Sequence, residues 1–224
     1  MLTIKQLFLD AYTILKQHWL LYSLFPLLLA GLAWVLFPFD RQVTEVMTTR
    51  YFNRFWWLYA GELSHYGAFE RASVFFILVL LIAGFVKKRS DWWRAALACL
   101  LACIMSGLIV NISKSLTGRP RPNAGVEQDG FYGPHLENDY RSFPSAHATT
   151  AFATATSLSI AFPALTIPLF IFEGAVSLSR IYVKGHYLVD VLVGSGVGIW
   201  FGSLFGLAYR KRSALLSEEG NIRC

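Results

Sequence analysis

His186 and Asp190 stand four residues apart, so on a helix they project from one face a single turn apart. A carboxylate in that position can orient an imidazole. An oriented neutral imidazole is a competent nucleophile toward phosphorus, and its attack gives a covalent phosphohistidine that water then hydrolyses. Arg180 lies six residues before His186, with Gly185 at the bend between them, and its planar guanidinium can take two phosphoryl oxygens at once. Lys114 closes an apolar run, and Gly118, Pro120 and Pro122 break any helix after it, so Arg121 is presented on a stiff extended segment. Lys114, Arg121 and Arg180 thus bring three cations to one anion, the main way a protein stabilises a transferring phosphoryl group without a metal. Pro144-Ser145-Ala146-His147 opens a further apolar run. Proline suits the first turn of a helix, the free N–H groups around Ser145 and Ala146 form an anion site at its N-terminus, and His147 is placed as general acid for the leaving oxygen.

Each piece taken singly has a plainer reading. His186 with Asp190 can be a structural pair at an interface, and the cations can be a rim that binds lipid headgroups. Their order, spacing and placement at the ends of apolar runs favour phosphate chemistry. The rim reading also needs cations gathered on the outer side of a membrane, where topology gives no reason for them.

The elements that must position these residues are membrane spans. With 55% apolar, 16% aromatic and 15% charged residues in 224, the chain is too apolar for an ordinary soluble domain of its size. A span needs about 20 largely apolar residues, and six stretches qualify, at about 19–37, 68–86, 95–116, 145–162, 165–182 and 187–209. They leave room for one helical bundle and no second domain. The fourth is rich in Thr, Ser and Ala, as a helix buried among others is. Lys87, Lys88, Arg89 and Arg94 between the second and third spans, and Arg210, Lys211 and Arg212 after the sixth, belong inside. Alternation then puts 38–67, 118–144 and 180–186 outside, with all three motifs on one face. The loop 38–67 holds no lysine, although its Arg41, Arg50 and Arg54 count against this orientation. The net charge of +6 is mostly topology signal and phosphate-binding residues, and no basic stripe interleaved with stacking aromatics suggests nucleic acid. Ile4, Leu7, Phe8, Ala11 and Leu15 predict a helix lying on the inner membrane surface; a cleaved signal peptide is the competing reading.

Three segments, Lys114-(x6)-Arg121-Pro122, Pro144-Ser145-Ala146-His147 and Ser179-Arg180-(x5)-His186-(x3)-Asp190, resemble the motifs of the type 2 phosphatidic acid phosphatase (PAP2) superfamily. These are lipid-phosphate phosphatases that share their pocket with vanadium haloperoxidases. The resemblance covers about 105–206 in sequence detail and the rest only through the pattern of spans. It implies His186 as nucleophile and Asp190 as the group fixing its tautomer. The family spacing selects Arg121 over Arg119, which is read as a supporting or headgroup contact whose replacement by Lys should be mild. The family's usual Gly at position 146 is Ala here, which adds a methyl beside the phosphate.

The expectation is a single all-α domain over 1–224, a polytopic membrane bundle of six transmembrane helices with an N-terminal interfacial helix. Its expected activity is metal-independent hydrolysis of a lipid phosphate monoester or diphosphate, with no cofactor, at the extracytoplasmic face of the inner (cytoplasmic) membrane. Candidate substrates are undecaprenyl diphosphate, phosphatidylglycerophosphate, phosphatidic acid and lipid A. The partners expected are the lipid substrate and the bilayer, and oligomeric state stays open. Transfer of the phosphoryl group to another lipid uses the same intermediate, and a transporter or scaffold of the same fold is the reading from another class. Haloperoxidase chemistry is disfavoured because those relatives are soluble.

The remaining signals concern support. Gly194, Gly198, Gly202 and Gly206 continue the helical row of His186 and Asp190, predicting close approach of the sixth span to the fourth. Glu173 inside the fifth span, two turns before Arg180, is read as a partner that positions that arginine. Arg41, Arg50, Arg54, Trp56, Trp57 and Tyr59 read as an interfacial segment bordering lateral access of an anionic lipid. His18, His65 and His135 lack motif neighbours, and Glu127, Asp129, Glu137 and Asp139 lack the spacing of a metal site. Cys99, Cys103 and Cys224 predict no disulfide.

Overall fold

The computed structural model describes residues 4–49, 53–66, 72–126 and 130–222. The described residues form eight α-helices: α1 Ile4–Gln17, α2 Trp19–Thr49, α3 Arg54–Tyr66, α4 Ala72–Val86, α5 Ser90–Thr117, α6 Ala146–Ala161, α7 Thr166–Tyr182 and α8 Leu188–Ile222. Four stretches are long and apolar enough to cross a membrane, Trp19–Thr49, Ser90–Thr117, Pro163–Tyr182 and Leu188–Glu218, and α4 is a shorter apolar helix. The apolar surface faces outward: Trp34 is 82% exposed, Phe85 85% and Ile167 73%. Water would not tolerate that surface on so many helices, and lipid requires it. This is a helical membrane protein.

Small residues build the interior. Ala95, Ala98, Cys99, Ala102 and Cys103 of α5 pack with Ala153, Ala155 and Leu158 of α6 and with Leu204, Phe205 and Ala208 of α8. The glycine row of α8 lies on α6 as its spacing predicts. A Cβ at Gly194 would come 2.4 Å from the Ser145 carbonyl oxygen, and one at Gly198 would come 2.3 Å from that of Thr149. Some of the polar side chains of α6 bond within the helix, with Thr149 Oγ1 donating to the Ser145 carbonyl, Thr150 to that of Ala146 and Thr154 to that of Thr150, whereas the hydroxyls of Thr156, Ser157 and Ser159 have no partner among the described residues. At 16 residues α6 extends about 24 Å, short of the ~30 Å hydrocarbon core, and it sits enclosed by α5, α7 and α8.

Two boundaries differ from the sequence expectation. α2 runs through Pro26 and Pro38 to Thr49, so most of the stretch read as the start of an outer loop is helix. Its polar face explains this: Asp40, Thr44 and Thr48 recur every four residues and are all buried. α6 starts at Ala146 with Ser145 as its N-cap, its Oγ accepting from the Ala148 N–H, so Pro144 precedes the helix instead of occupying its first turn. α1 forms where amphipathicity predicts, yet its Leu7, Ala11 and Ile14 are buried against the bundle. Phe8 meets Phe205 edge-on and Asp10 accepts from Arg212 Nε at 2.7 Å, which ties α1 to α8.

Candidate active site

The bundle alternates direction, so the C-terminal ends of α5 and α7 and the N-terminal ends of α6 and α8 meet at one end. Lys114, Arg180, His147 and Asp190 sit on those four ends. The turn from Val183 to Tyr187 presents His186, and the loop residues 118–121 and 130–145 pack against it, with Ser142 beside its ring. Gly118 ends α5 with φ +59°, and a Cβ there would meet the Gly133 carbonyl oxygen at 2.0 Å, so only glycine lets this segment fold back on the helix. Backbone bonds from Gly133 N to Thr117 O and from His135 N to Ser115 O fasten it. His135 stacks on Tyr140 with centroids 4.5 Å apart and belongs to that fastening.

His186 is 1% exposed. Burial pushes its imidazole down to about 3, with Lys114 and Arg180 acting in the same direction against the neighbouring carboxylate of Asp190. It is therefore neutral at ordinary pH, the form in which an imidazole is a nucleophile. Nδ1 faces Asp190 Oδ2 at 3.7 Å, longer than a hydrogen bond. Ser142 fills the fork, donating to that oxygen at 2.5 Å with its Oγ 3.4 Å from Nδ1. With Nδ1 turned toward the carboxylate, Nε2 is the nitrogen left for attack.

Asp190 is held from every side. Its Oδ2 also accepts from the Tyr187 N–H at 2.9 Å, and its backbone carbonyl accepts from the Ser145 N–H at 2.9 Å, joining the His186 turn to the start of α6. Its Oδ1 accepts from Arg119 Nη1 at 2.6 Å. Arg119 is fully buried on Asp190, which agrees with the reading of it as a supporting contact and not with a headgroup contact. Its Nη2 pairs with Asp40 Oδ2 at 2.9 Å.

The three cations converge. His147 lies in the field of Arg180, Lys114 and Arg121, and His186 in that of Lys114 and Arg180. Lys114 Nζ donates to the Arg141 carbonyl at 2.7 Å. Arg121 gives Nε and Nη2 to the carbonyl and Oδ1 of Asn138, both at 2.9 Å. Arg180 Nη1 donates to Ser64 Oγ on α3, while its Nε has no partner among the described residues. A Cβ at Gly185 would stand 2.8 Å from Arg180 Nη2, so glycine there leaves the guanidinium its place. Glu173 is buried and neither carboxylate oxygen has a hydrogen-bond partner among the described residues, so Ser64 and not Glu173 meets Arg180.

Ser145 is buried at the N-cap, while Ala146 and His147 line a cavity of about 430 Å³ with Thr150, Gly107, Leu108 and Asn111, opening along the groove between α5 and α6. Arg41 pairs with Glu45 at 3.0 Å on α2, and Trp57 and Tyr59 on α3 are exposed. Arg50, Glu127, Asp129 and Cys224, and the side chains of Arg54 and Trp56, lie outside the described residues. Sequence reasoning missed Ser142, Ser64, Asn138 and Asp40. Ser142 had a signal, since it stands two residues before Pro144 in a segment already marked, but a serine in a loop is unremarkable until its partners are seen.

The fold and the site together define a membrane phosphatase architecture. The computed structure overlays on the crystal structure of a transmembrane PAP2-type phosphatidylglycerolphosphate phosphatase from Bacillus subtilis with a TM-score of 0.61, at 23% identity, covering 87% of this chain and 96% of that one. The model of the PAP2 superfamily matches residues 95–214, and the chain belongs to that family. A lipid A 1-phosphatase of Rhizobium johnstonii is 29% identical over 121 residues, which are 52% of this chain and 50% of the relative. A decaprenylphosphoryl-5-phosphoribose phosphatase of Mycobacterium tuberculosis is 33% identical over 146 residues, 65% of this chain and 76% of that protein. This chain spans about half the length of the Rhizobium lipid A 1-phosphatases that it matches.

Proposed function

We propose that this protein hydrolyses a phosphate monoester carried by a membrane lipid, without a metal, through a phosphohistidine on His186. One observation carries the reading: a buried neutral imidazole and a second histidine share one end of the bundle with Lys114, Arg121 and Arg180. Nε2 of His186 attacks phosphorus, and the bond to the lipid oxygen breaks as that oxygen takes a proton from His147, whose imidazolium form the bound phosphate anion stabilises against the neighbouring cations. Water, deprotonated by His147, then attacks the phosphohistidine, releasing phosphate and returning the imidazole to its neutral form. Lys114, Arg121 and Arg180 hold the equatorial oxygens throughout, aided by the N–H groups at the start of α6. Asp190 steadies the positive charge that appears on the ring during attack.

A lipid substrate is supported by the α5–α6 groove, which runs from His147 to the lipid-facing Leu108 and Ile104. An acyl or prenyl chain in that groove brings its phosphate to the histidines while its tail stays in the bilayer. The relatives named above act on different lipids, and the phosphate group is what those substrates share. On this reading α2, α4, α5, α6, α7 and α8 are six spans of a cytoplasmic-membrane protein, α1 lies at the inner interface, and the site opens to the periplasm or cell exterior. The cations Lys87, Lys88, Arg89 and Arg210 to Arg212 sit at the opposite end and favour that orientation.

The test is phosphate release from a panel of purified lipid phosphates in detergent micelles, with chelator present. Release from at least one of them, unchanged by chelator and absent in His186→Ala, is the expected result. Inertness toward every lipid, or release that survives His186→Ala, overturns the assignment.

A further inference from the structure

We propose that Asp40 is a positioning residue of this reaction, acting on Asp190 and His186 through Arg119; this rests on the function proposed above. Asp40 lies on α2, outside the stretch matched by the family model, and carries none of the three motifs. It is 1% exposed, Arg119 is 0% exposed and Asp190 is 0% exposed, so two carboxylates and one guanidinium form a sealed relay.

The geometry gives each atom a task. Arg119 is clamped between ring faces, its guanidinium carbon 4.7 Å from the centroid of Phe37 and 4.2 Å from that of Tyr187, which fixes the plane of its fork. Asp40 Oδ2 pairs with Nη2 at 2.9 Å, and Nη1 donates to Oδ1 of Asp190 at 2.6 Å. Oδ2 of Asp190 stays with Ser142, the Tyr187 N–H and the Nδ1 side of His186. Guanidinium and carboxylate prefer a two-pronged pairing. With Asp40 neutral, the charge that draws Nη2 away from Asp190 is lost, and the fork is drawn toward Asp190 Oδ2, the oxygen that faces His186. Asp40 thus divides the fork and leaves Asp190 one oxygen for the nucleophile. Its other oxygen accepts from the Val189 N–H at 2.9 Å, fixing α2 against the residue just before Asp190. Buried ion pairs are often no more stable than apolar replacements, so keeping a charge at this depth points to geometry at Asp190.

Asp40→Asn separates these roles, since the amide oxygen still accepts from Val189 while the charge facing Arg119 is lost. The expected result is a fall in kcat of about 10–100-fold, the usual cost of removing an outer group that orients a functional histidine, with KM little changed because no phosphate contact is touched. The effect should vanish in an Arg119→Gln background, where there is no fork left to divide. A merely structural loss would multiply with the Arg119 loss instead. Normal kcat in folded Asp40→Asn protein, or multiplying losses in the double variant, overturns the inference. If Asp40→Asn does not fold, Arg119→Lys opens the same relay: a point charge that cannot bridge both carboxylates should lower kcat at constant KM, and full kcat there is equally fatal. A wild-type chain inert toward all lipid phosphates would defeat the parent reading, whereas an active wild type with an unaffected Asp40→Asn defeats this one alone.

Discussion

At the scale of single residues, the candidate site surrounds Asp190 with donors and keeps the Nδ1 side of His186 toward that carboxylate. Arg180 illustrates the demand for shape. It is steadied by Ser64 and sits close over Gly185, so its fork has one orientation toward a phosphate. Arg180→Lys keeps the charge and loses the fork, and removing one donor from such a preorganised site costs about 3–4 kcal/mol, roughly a hundredfold or more in rate. Initial rates on one lipid phosphate measure it, and a loss under threefold would mean that charge alone suffices. His186 also leaves a signature in stability. Its folded pKa of about 3 lies below the ~6.5 of an unfolded histidine. Between those values the unfolded chain binds a proton that the folded chain refuses, so this contribution is complete above pH 6.5 and is lost as pH falls toward 3. The melting temperature of the wild type should therefore drop between pH 7 and pH 5, and by less in His186→Gln. An equal drop in both would place the acid sensitivity elsewhere.

At the scale of elements, the proposed mechanism requires α6 and α8 to lie close enough for His147 and His186 to share one phosphate. The contact has no slack at Gly198, where a Cβ would press to 2.3 Å on a backbone oxygen of α6. Gly198→Ala should lower the melting temperature, since overpacking costs about 1–3 kcal/mol, and it should reduce activity by parting the two histidines. Gly174 on α7 has nothing within 4 Å of its Cβ position, so Gly174→Ala should leave both unchanged. Matching effects at the two glycines would contradict the packing account. This contact was legible in the sequence because a four-residue glycine row has few uses other than close approach. The helix ends carrying Lys114, His147, Arg180 and Asp190 were equally legible, since proline, glycine and the edges of apolar runs mark them. The second half of α2 was not. Asp40, Thr44 and Thr48 looked like a polar loop because the partners of Asp40, Arg119 and Val189, are far downstream, and a buried polar face has the composition of a solvated one. Glu173 failed for the related reason that helical spacing brings it to the face of α7 but not to the arginine two turns on.

At the scale of the whole molecule, the arrangement is a bundle with one reactive end and one basic end, and the bilayer between them decides which lipids the site can meet. A cysteine introduced at Gly125, in a chain with Cys224→Ser, should be labelled in intact cells by a reagent that cannot cross the membrane, whereas one at Ser90 should not. The buried thiols of Cys99 and Cys103 give little background. Reversed labelling would put the site on the cytoplasmic face. The most direct test of the whole account is to trap the intermediate. Protein quenched during turnover of a lipid labelled in its phosphate should carry the label on His186, and the label should be absent from His186→Ala. Label on any other residue, or turnover with no labelled protein at any quench time, would contradict the phosphohistidine on which the account rests.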